Sequence, residues 1–235
     1  MDAGASKAAY VRSMFGRIVP RYDLVNRLMT MGQDVRWRRV AAGLAKPRGR
    51  LALDVGSGTA DLALELDRSG ARAVIGIDFC SPMMAAARSK LARRDGACRV
   101  FLAAADAMRL PFADNTFGCV VNGFVLRNVA DLKATLAELC RVLEPGGDLA
   151  CLELTHAPAP VETLFGFYFN HMMPRLGALV SGQGDAYRYL SRSLDGYPDA
   201  DALAALMVQA GFTNVSYVRL GLGAVAIHLG QKAAM

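Results

Sequence analysis

Three acids stand at the ends of short apolar runs in the first half of this chain. Asp54 closes Leu51-Ala52-Leu53, Asp78 closes Ile75-Gly76-Ile77, and Asp106 follows the run from Arg99 to Ala104. Between the first two lies Gly56-Ser57-Gly58-Thr59. Gly56 and Gly58 open backbone angles closed to other residues and let a ligand approach the main chain. The helix pattern that follows begins with unpaired N–H groups. Together these features suit a site for a small polar cofactor. A dinucleotide fingerprint would place a third glycine where this chain has Asp61, which leans against a pyrophosphate. Asp54 beside the loop suits a cationic ligand, and S-adenosylmethionine, with its ammonium and sulfonium, fits. An ordinary glycine turn is the alternative that the loop alone leaves open.

The other two acids extend the reading. Asp78, about 20 residues past the loop, stands where a carboxylate accepts both ribose hydroxyls; a helix cap near Ser81 is the alternative. Phe79 follows it in the same candidate site. Asp106-Ala107 stands where an adenine edge would arrive, since a carboxylate can accept from the exocyclic amine; a surface turn is the alternative. Gly123 would lie beneath the cofactor.

Strands must position these groups. Strand-like runs occur at Leu51–Val55, Ala73–Asp78, Arg99–Ala104, Phe117–Asn122 and Asp148–Leu154. Helical patterns lie between them at Ala60–Arg68, Ser81–Arg94 and Asp131–Leu143, with Ser81-Pro82 reading as cap and first helical residue. This alternation implies a parallel sheet covered by helices. Residues 5–46 look helical, with an interruption at Pro20. After a helix at Asp199–Ala210, two runs at Val215–Leu220 and Ala224–Leu229 should pair antiparallel. The expected fold is α/β: a class I S-adenosylmethionine-dependent methyltransferase, with a Rossmann-like seven-stranded, mostly parallel sheet and an antiparallel last strand. One domain spans 1–235: a helical cap at 1–48, a cofactor-binding core at 49–156, a helical lid at 157–196, and a closing helix and strands at 197–235.

Composition narrows the classes. The chain has 235 residues, 53% of them hydrophobic and 20% charged, enough for a large core and unlike a disordered chain. It shows no apolar run of membrane-spanning length and no signal core at its start, so a cytoplasmic protein is expected. The five cysteines are scattered without Cys-x-x-Cys spacing; neither a disulfide framework nor a metal site is expected. The net charge of +6 gathers at Arg36–Arg50 and Arg88–Arg94. These are solvated helix faces or a means of meeting anionic lipid headgroups at the inner face of a membrane. No aromatic–basic interleaving accompanies them, so nucleic acid is not an expected partner.

Along almost its whole length the chain resembles the ubiquinone/menaquinone biosynthesis C-methyltransferase family. The resemblance rests on Met14–Asn26 (Met-Phe-Gly-Arg-Ile-Val-Pro-Arg-Tyr-Asp-Leu-Val-Asn), Trp37-Arg38-Arg39, Leu110–Phe117, Leu126-Arg127-Asn128-Val129, Tyr187–Leu190 and Ala226–Lys232. It implies methyl transfer from S-adenosylmethionine to a ring carbon of a prenylated quinol. It also implies that Thr59, Asp78, Asp106 and Ala107 contact the cofactor. Two positions depart from the family pattern: Gly123 stands where a serine is common and Val125 where a glycine is common. Val125 would narrow the substrate cavity or alter which quinol is accepted.

Such chemistry asks the protein to stabilise a phenolate and to accept a proton. Arg127, which stays protonated, is the candidate for stabilising the quinolate. Asn128 and Tyr22 are candidates for holding a substrate oxygen, and His171 for the general base. His156 and His228 read as structural. The apolar stretch Leu164–Val180 reads as a groove for a prenyl tail, a core helix, a homodimer contact or a surface for a bilayer. A methyltransferase for another lipophilic or phenolic molecule, a non-catalytic cofactor-binding subunit and a nicotinamide oxidoreductase are the competing readings.

Overall fold

The computed structural model describes residues 3–94, 97–159, 161–172, 175, 186, 189 and 193–234. Helix α1 (Ala3–Ile18) runs into a 3-10 turn at Val19–Arg21, and then into α2 (Tyr22–Met29) and α3 (Gln33–Leu44). The turn contains Pro20, whose missing N–H cannot continue an α-helix. Met31 and Gly32, both at positive φ, separate α2 from α3.

The remaining elements alternate as expected: β1 (Leu51–Val55), α4 (Asp61–Arg68), β2 (Ala73–Asp78), α5 (Ser81–Ala92), β3 (Val100–Ala104), β4 (Phe117–Gly123), α6 (Leu132–Val142) and β5 (Leu143–Leu154). Helix α7 (Val161–Phe167) and a π turn (Tyr168–Met172) follow, and then α8 (Ala200–Gln209), β6 (Phe212–Leu220) and β7 (Val225–Lys232). The sheet order is β3-β2-β1-β4-β5-β7-β6. The pairs among β1 to β5 are parallel, and β7 is antiparallel to both neighbours, β5 and β6. The last strand of the chain thus inserts between the two that precede it.

Two local readings shift. Cys80, not Ser81, is the N-cap of α5, which starts at Ser81 and carries Pro82 in its first turn. The expected turn at Glu144–Gly147 does stop α6, but Leu143 already pairs with Phe117, so β5 begins there through a bulge.

Both faces of the sheet are covered. Ala52, Val74, Cys119, Val121 and Leu152 pack against α1 to α4 in one cluster. Leu53, Ile77, Val120 and Leu149 pack against α6 and α8 in the other. Burial on both sides explains why the strands read as apolar runs without alternation. Gly76 is a glycine for contact reasons: a Cβ there would stand 2.7 Å from Ser57 Oγ and 2.9 Å from Leu102 Cδ2.

Several residues of the basic clusters are pinned by acids and do not simply face solvent. Lys46 (2.8 Å) and Arg50 (2.6 Å) both reach Asp148 on β5. Burial pushes the Asp148 carboxyl up, but hydrogen bonds from Lys46, Gln231 and Arg50 outweigh it and hold the group below its usual value. Lys90 bridges Asp23 and Asp61 at 2.6 Å each, and Arg38 pairs with Asp34 one helical turn before it.

The expected lid at 157–196 lies largely outside the described residues, as do Tyr187, Arg188 and Leu190 of the motif. Its described start meets the cap where the Tyr168 hydroxyl donates to the Met29 carbonyl at 2.7 Å. Among the described residues no helix is long and apolar enough to cross a membrane.

Candidate active site

The loop from β1 to α4 is built by backbone strain and held by side chains. Gly56 (φ 68°), Gly58 (φ 55°) and Ala60 (φ 68°) all occupy the left-handed region, which costs a glycine little. The Ser57 N–H donates to the Ile77 carbonyl at 2.8 Å, and its hydroxyl donates to Asp54 Oδ2 at 2.7 Å. The Gly58 N–H donates to Asp78 Oδ2 at 2.8 Å, while Asp78 Oδ1 accepts from the Cys80 N–H at the same distance. Asp78 therefore ties the loop to the start of α5 while still lining the cleft above it. Thr59 is turned away from that cleft and donates to Asp23 Oδ1 on α2 at 2.6 Å.

Asp54 lies beneath the loop and is only 1% exposed. Its Oδ1 has no hydrogen-bond partner among the described residues, and burial, partly offset by Ser57, pushes its pKa up to about 7. A carboxyl raised on folding keeps a proton that the unfolded chain has released, so stability falls as pH rises between about 4 and 7. Asp54→Asn should remove that fall. Relative to wild type, the variant's urea midpoint should be higher at about pH 8 than at about pH 5.

Above the loop a cleft of about 820 Å³, open to solvent, is lined by Gly56, Gly58, Asp78, Phe79, Asp106, Ala107, Gly123 and Asn128. The strand ends of a doubly wound sheet converge here, where such sheets bind ligands. A Cβ at Gly58 would meet nothing within 4 Å, so the loop faces open space there. Phe79 is 38% exposed, and Asp106 holds the Met108 N–H through Oδ1 at 2.9 Å. A glycine loop, two acids at successive strand ends and an apolar slot beside Ile77 and Met83 suit an adenosyl ligand with a charged tail. Val125 meets the loop and not the deeper chamber: its Cγ2 lies 2.3 Å from where a Cβ of Gly56 would stand.

A second chamber of about 580 Å³ adjoins the cleft, and Phe15, Tyr22 and Phe124 line both. Its polar groups are Asn26, Asp34, Arg38 and Arg127. Arg127, 8% exposed, forms an ion pair with the buried Glu153 at the end of β5, and its Nε donates to Ser193 Oγ at 3.1 Å. Burial pushes the Glu153 carboxyl up against the pull of Arg127 and the Leu154 N–H. Phe124 adopts a left-handed φ of 61°, and the guanidinium carbons of Arg38 and Arg127 each lie 5.7 Å from its ring centroid. Burial raises the Tyr22 phenol, while Arg38, Asn26 and Arg127 oppose that rise. Asn128 lines the outer cleft; its Nδ2 donates to the Phe124 carbonyl at 3.1 Å, and its Oδ1 has no partner among the described residues.

The structure brings Tyr22, Asp78, Phe79, Asp106, Ala107, Gly123 and Asn128 to one cleft and Arg127 to the chamber beside it. Asp54 and Thr59 stand behind the loop. His171 is not brought in. It is exposed on the π turn, its ring stacked on Phe167 at 5.0 Å, and it lines neither cavity. His228 Nε2 meets the Ala200 carbonyl at 2.9 Å, and His156 Nε2 meets that of Tyr197 at 3.2 Å. Sequence reasoning missed Asp34, Arg38, Phe124 and Glu153. The i,i+4 spacing of Asp34 and Arg38, and an acid at the end of a fifth strand, were the available signals.

A family model described as the ubiE/COQ5 methyltransferase family matches residues 3–232. The chain belongs to the ubiE/COQ5 methyltransferase family. A demethylmenaquinone methyltransferase of Thermus thermophilus is 45% identical, over 93% of this chain and all of that protein. A ubiquinone/menaquinone biosynthesis C-methyltransferase of Desulfotalea psychrophila is 43% identical, over 97% of this chain and 92% of that one. The fold also matches a solved S-adenosylmethionine-dependent methyltransferase of Thermotoga maritima, with a TM-score of 0.69 and 19% identity over 94% of this chain and 99% of that one. This ubiE/COQ5 family member is thus a methyltransferase of the class I, S-adenosylmethionine-dependent type.

Proposed function

We propose that this enzyme methylates a ring carbon of a prenylated quinol, converting demethylmenaquinol to menaquinol, with the benzoquinol of ubiquinone synthesis as a second acceptor. One observation carries this reading: two cavities share the wall of Phe15, Tyr22 and Phe124, and the inner one holds guanidinium groups among apolar side chains. The outer cleft suits the cofactor, held by Gly56, Gly58, Asp78, Phe79, Asp106 and Ala107. The inner chamber suits an aromatic ring whose oxygen must become an anion.

S-adenosylmethionine, when bound, supplies a methyl on a good leaving group. The protein must make the ring carbon nucleophilic. Arg127, fixed by Glu153, lowers the pKa of a ring hydroxyl through its charge, and the resulting phenolate pushes electron density onto the adjacent carbon. Tyr22 orients the same oxygen from the cap, and Asn128 holds the ring's edge at the boundary with the cleft. The surrounding apolar wall of Met29, Trp37 and Leu154 excludes water and strengthens each charge.

The tail and its membrane are served by the cap. Leu24, Leu28 and Met31 are 53%, 47% and 84% exposed along one side of α2, and Phe167 and Met172 are exposed on the segment joined to it by Tyr168. Arg21 and Arg27, also exposed, add positive charge to this apolar rim, the pairing that draws a protein to an anionic bilayer surface. A second copy of the chain is the alternative occupant of the rim.

One experiment tests both parts. Labelled methyl transfer is followed to a naphthoquinol, a benzoquinol and unrelated phenols, in solution and in anionic vesicles, with the enzyme's sedimentation followed in parallel. Transfer to the quinols, faster from vesicles that carry the enzyme down, is the expected result. Transfer to simple phenols at equal rates would favour the broader phenolic methyltransferase. Dimers that ignore vesicles would assign the rim to a second copy.

A further inference from the structure

We propose that Arg38 is a second substrate-binding charge, which makes the inner chamber select acceptors bearing two oxygens across one ring. The inference rests on the quinol reading above and specifies how the acceptor is recognised. Arg38 lies on α3, far in sequence from Arg127, and neither is more than 8% exposed. Both line one chamber and stand 5.7 Å from the centroid of one ring, Phe124. The Tyr22 phenol feels the charge of both.

Bringing two cations toward one small apolar space is costly, and a buried ion pair returns little net stability against apolar residues of the same volume. Each guanidinium has one acid behind it. Asp34 anchors Arg38 and also accepts from Thr30 Oγ1 at 3.0 Å; Glu153 anchors Arg127. A guanidinium carries five donors in a fixed fork, so an anchoring carboxylate aims the group and leaves donors for a further acceptor. The two aimed cations make a chamber with two poles. A 1,4-quinol has an oxygen at each end of its ring and matches that arrangement. A monophenol leaves one cation without an acceptor, which is the condition under which a polar site rejects an analogue.

The test pairs a short-chain 1,4-quinol with its mono-O-methyl ether, and wild type with Arg38→Met and Arg38→Lys. Calorimetric binding of S-adenosylhomocysteine confirms that each variant is folded. Wild type is expected to favour the free quinol in kcat/KM by about 10- to 150-fold, the range for a hydrogen bond to a charged group. Arg38→Met should bring the quinol down to the level of the ether and leave the ether's turnover within about threefold, because only the contact to the second oxygen is lost. Arg38→Lys should recover part of the preference, keeping the charge without the fork. An equal loss on both acceptors in Arg38→Met would overturn the assignment. If wild type methylates neither acceptor, the quinol reading fails instead. Arg38 is then judged by calorimetric binding of the two compounds, where equal affinities in wild type and Arg38→Met sink it.

Discussion

Replacing Arg127 with alanine is expected to lower quinol turnover by about 10²- to 10³-fold while S-adenosylhomocysteine binding stays within about threefold. The size follows from what is removed. A cation aimed at developing negative charge in a dry site acts on the transition state far more than on the bound substrate. Arg127 lines the inner chamber and not the outer cleft, so the cofactor should scarcely register its loss. Arg127→Lys should fall between, since an ammonium keeps the charge but cannot meet Glu153 and a ring oxygen with one rigid fork. Initial rates against both substrates, with calorimetry for the cofactor product, separate these effects. Turnover within about tenfold of wild type in the alanine variant would remove Arg127 from the chemistry.

The second large effect is expected at Glu153, a residue that touches neither ligand. Glu153→Ala leaves the Arg127 guanidinium buried without its partner, a change that costs about 3–5 kcal/mol. Urea unfolding reads that loss directly. Thermal unfolding should fall by roughly 10 °C for a chain of this size. Glu153→Gln keeps an acceptor for the Leu154 and Arg127 donors and should lose less. The double variant Glu153→Ala with Arg127→Met should regain stability over Glu153→Ala alone, because no charge is stranded, and yet stay as slow as Arg127→Ala. Recovery of turnover together with stability would show that Glu153 matters only for folding.

Much of the scaffold could be read from residue order. β1 and β2 fall on the runs Leu51–Val55 and Ala73–Asp78 residue for residue, since each run is bounded by glycine, polar or charged residues that break it. The antiparallel ending followed from the short loop at Gly221–Gly223. The insertion of β7 against β5 did not, because a strand's second neighbour depends on packing across the whole sheet. The side-chain directions of Asp54 and Thr59 were equally hidden. β1 is buried on both faces, so no alternation tells which way an acid points, and Thr59 turns toward Asp23, 36 residues earlier. The pairing of Arg127 with Glu153 spans 26 residues and exists only because η-type turn and strand end meet over β4. His171 looked useful for its chemistry and its apolar setting, yet a π turn puts it beside Phe167 at the surface; helix phase decides such placements, and an apolar stretch without a polar stripe gives none.

Phe124 has faces on both cavities. A partition cannot be reshaped on one side alone. Any change there that admits a bulkier ring also alters the floor of the nucleotide cleft, so acceptor range and cofactor affinity are inherited together at this position. Met29 and Trp37 border only the inner chamber, and Met83 only the outer cleft. Lineages, or engineers, seeking a new acceptor with the methyl donor unchanged have their freedom at Met29 and Trp37 and very little at residue 124.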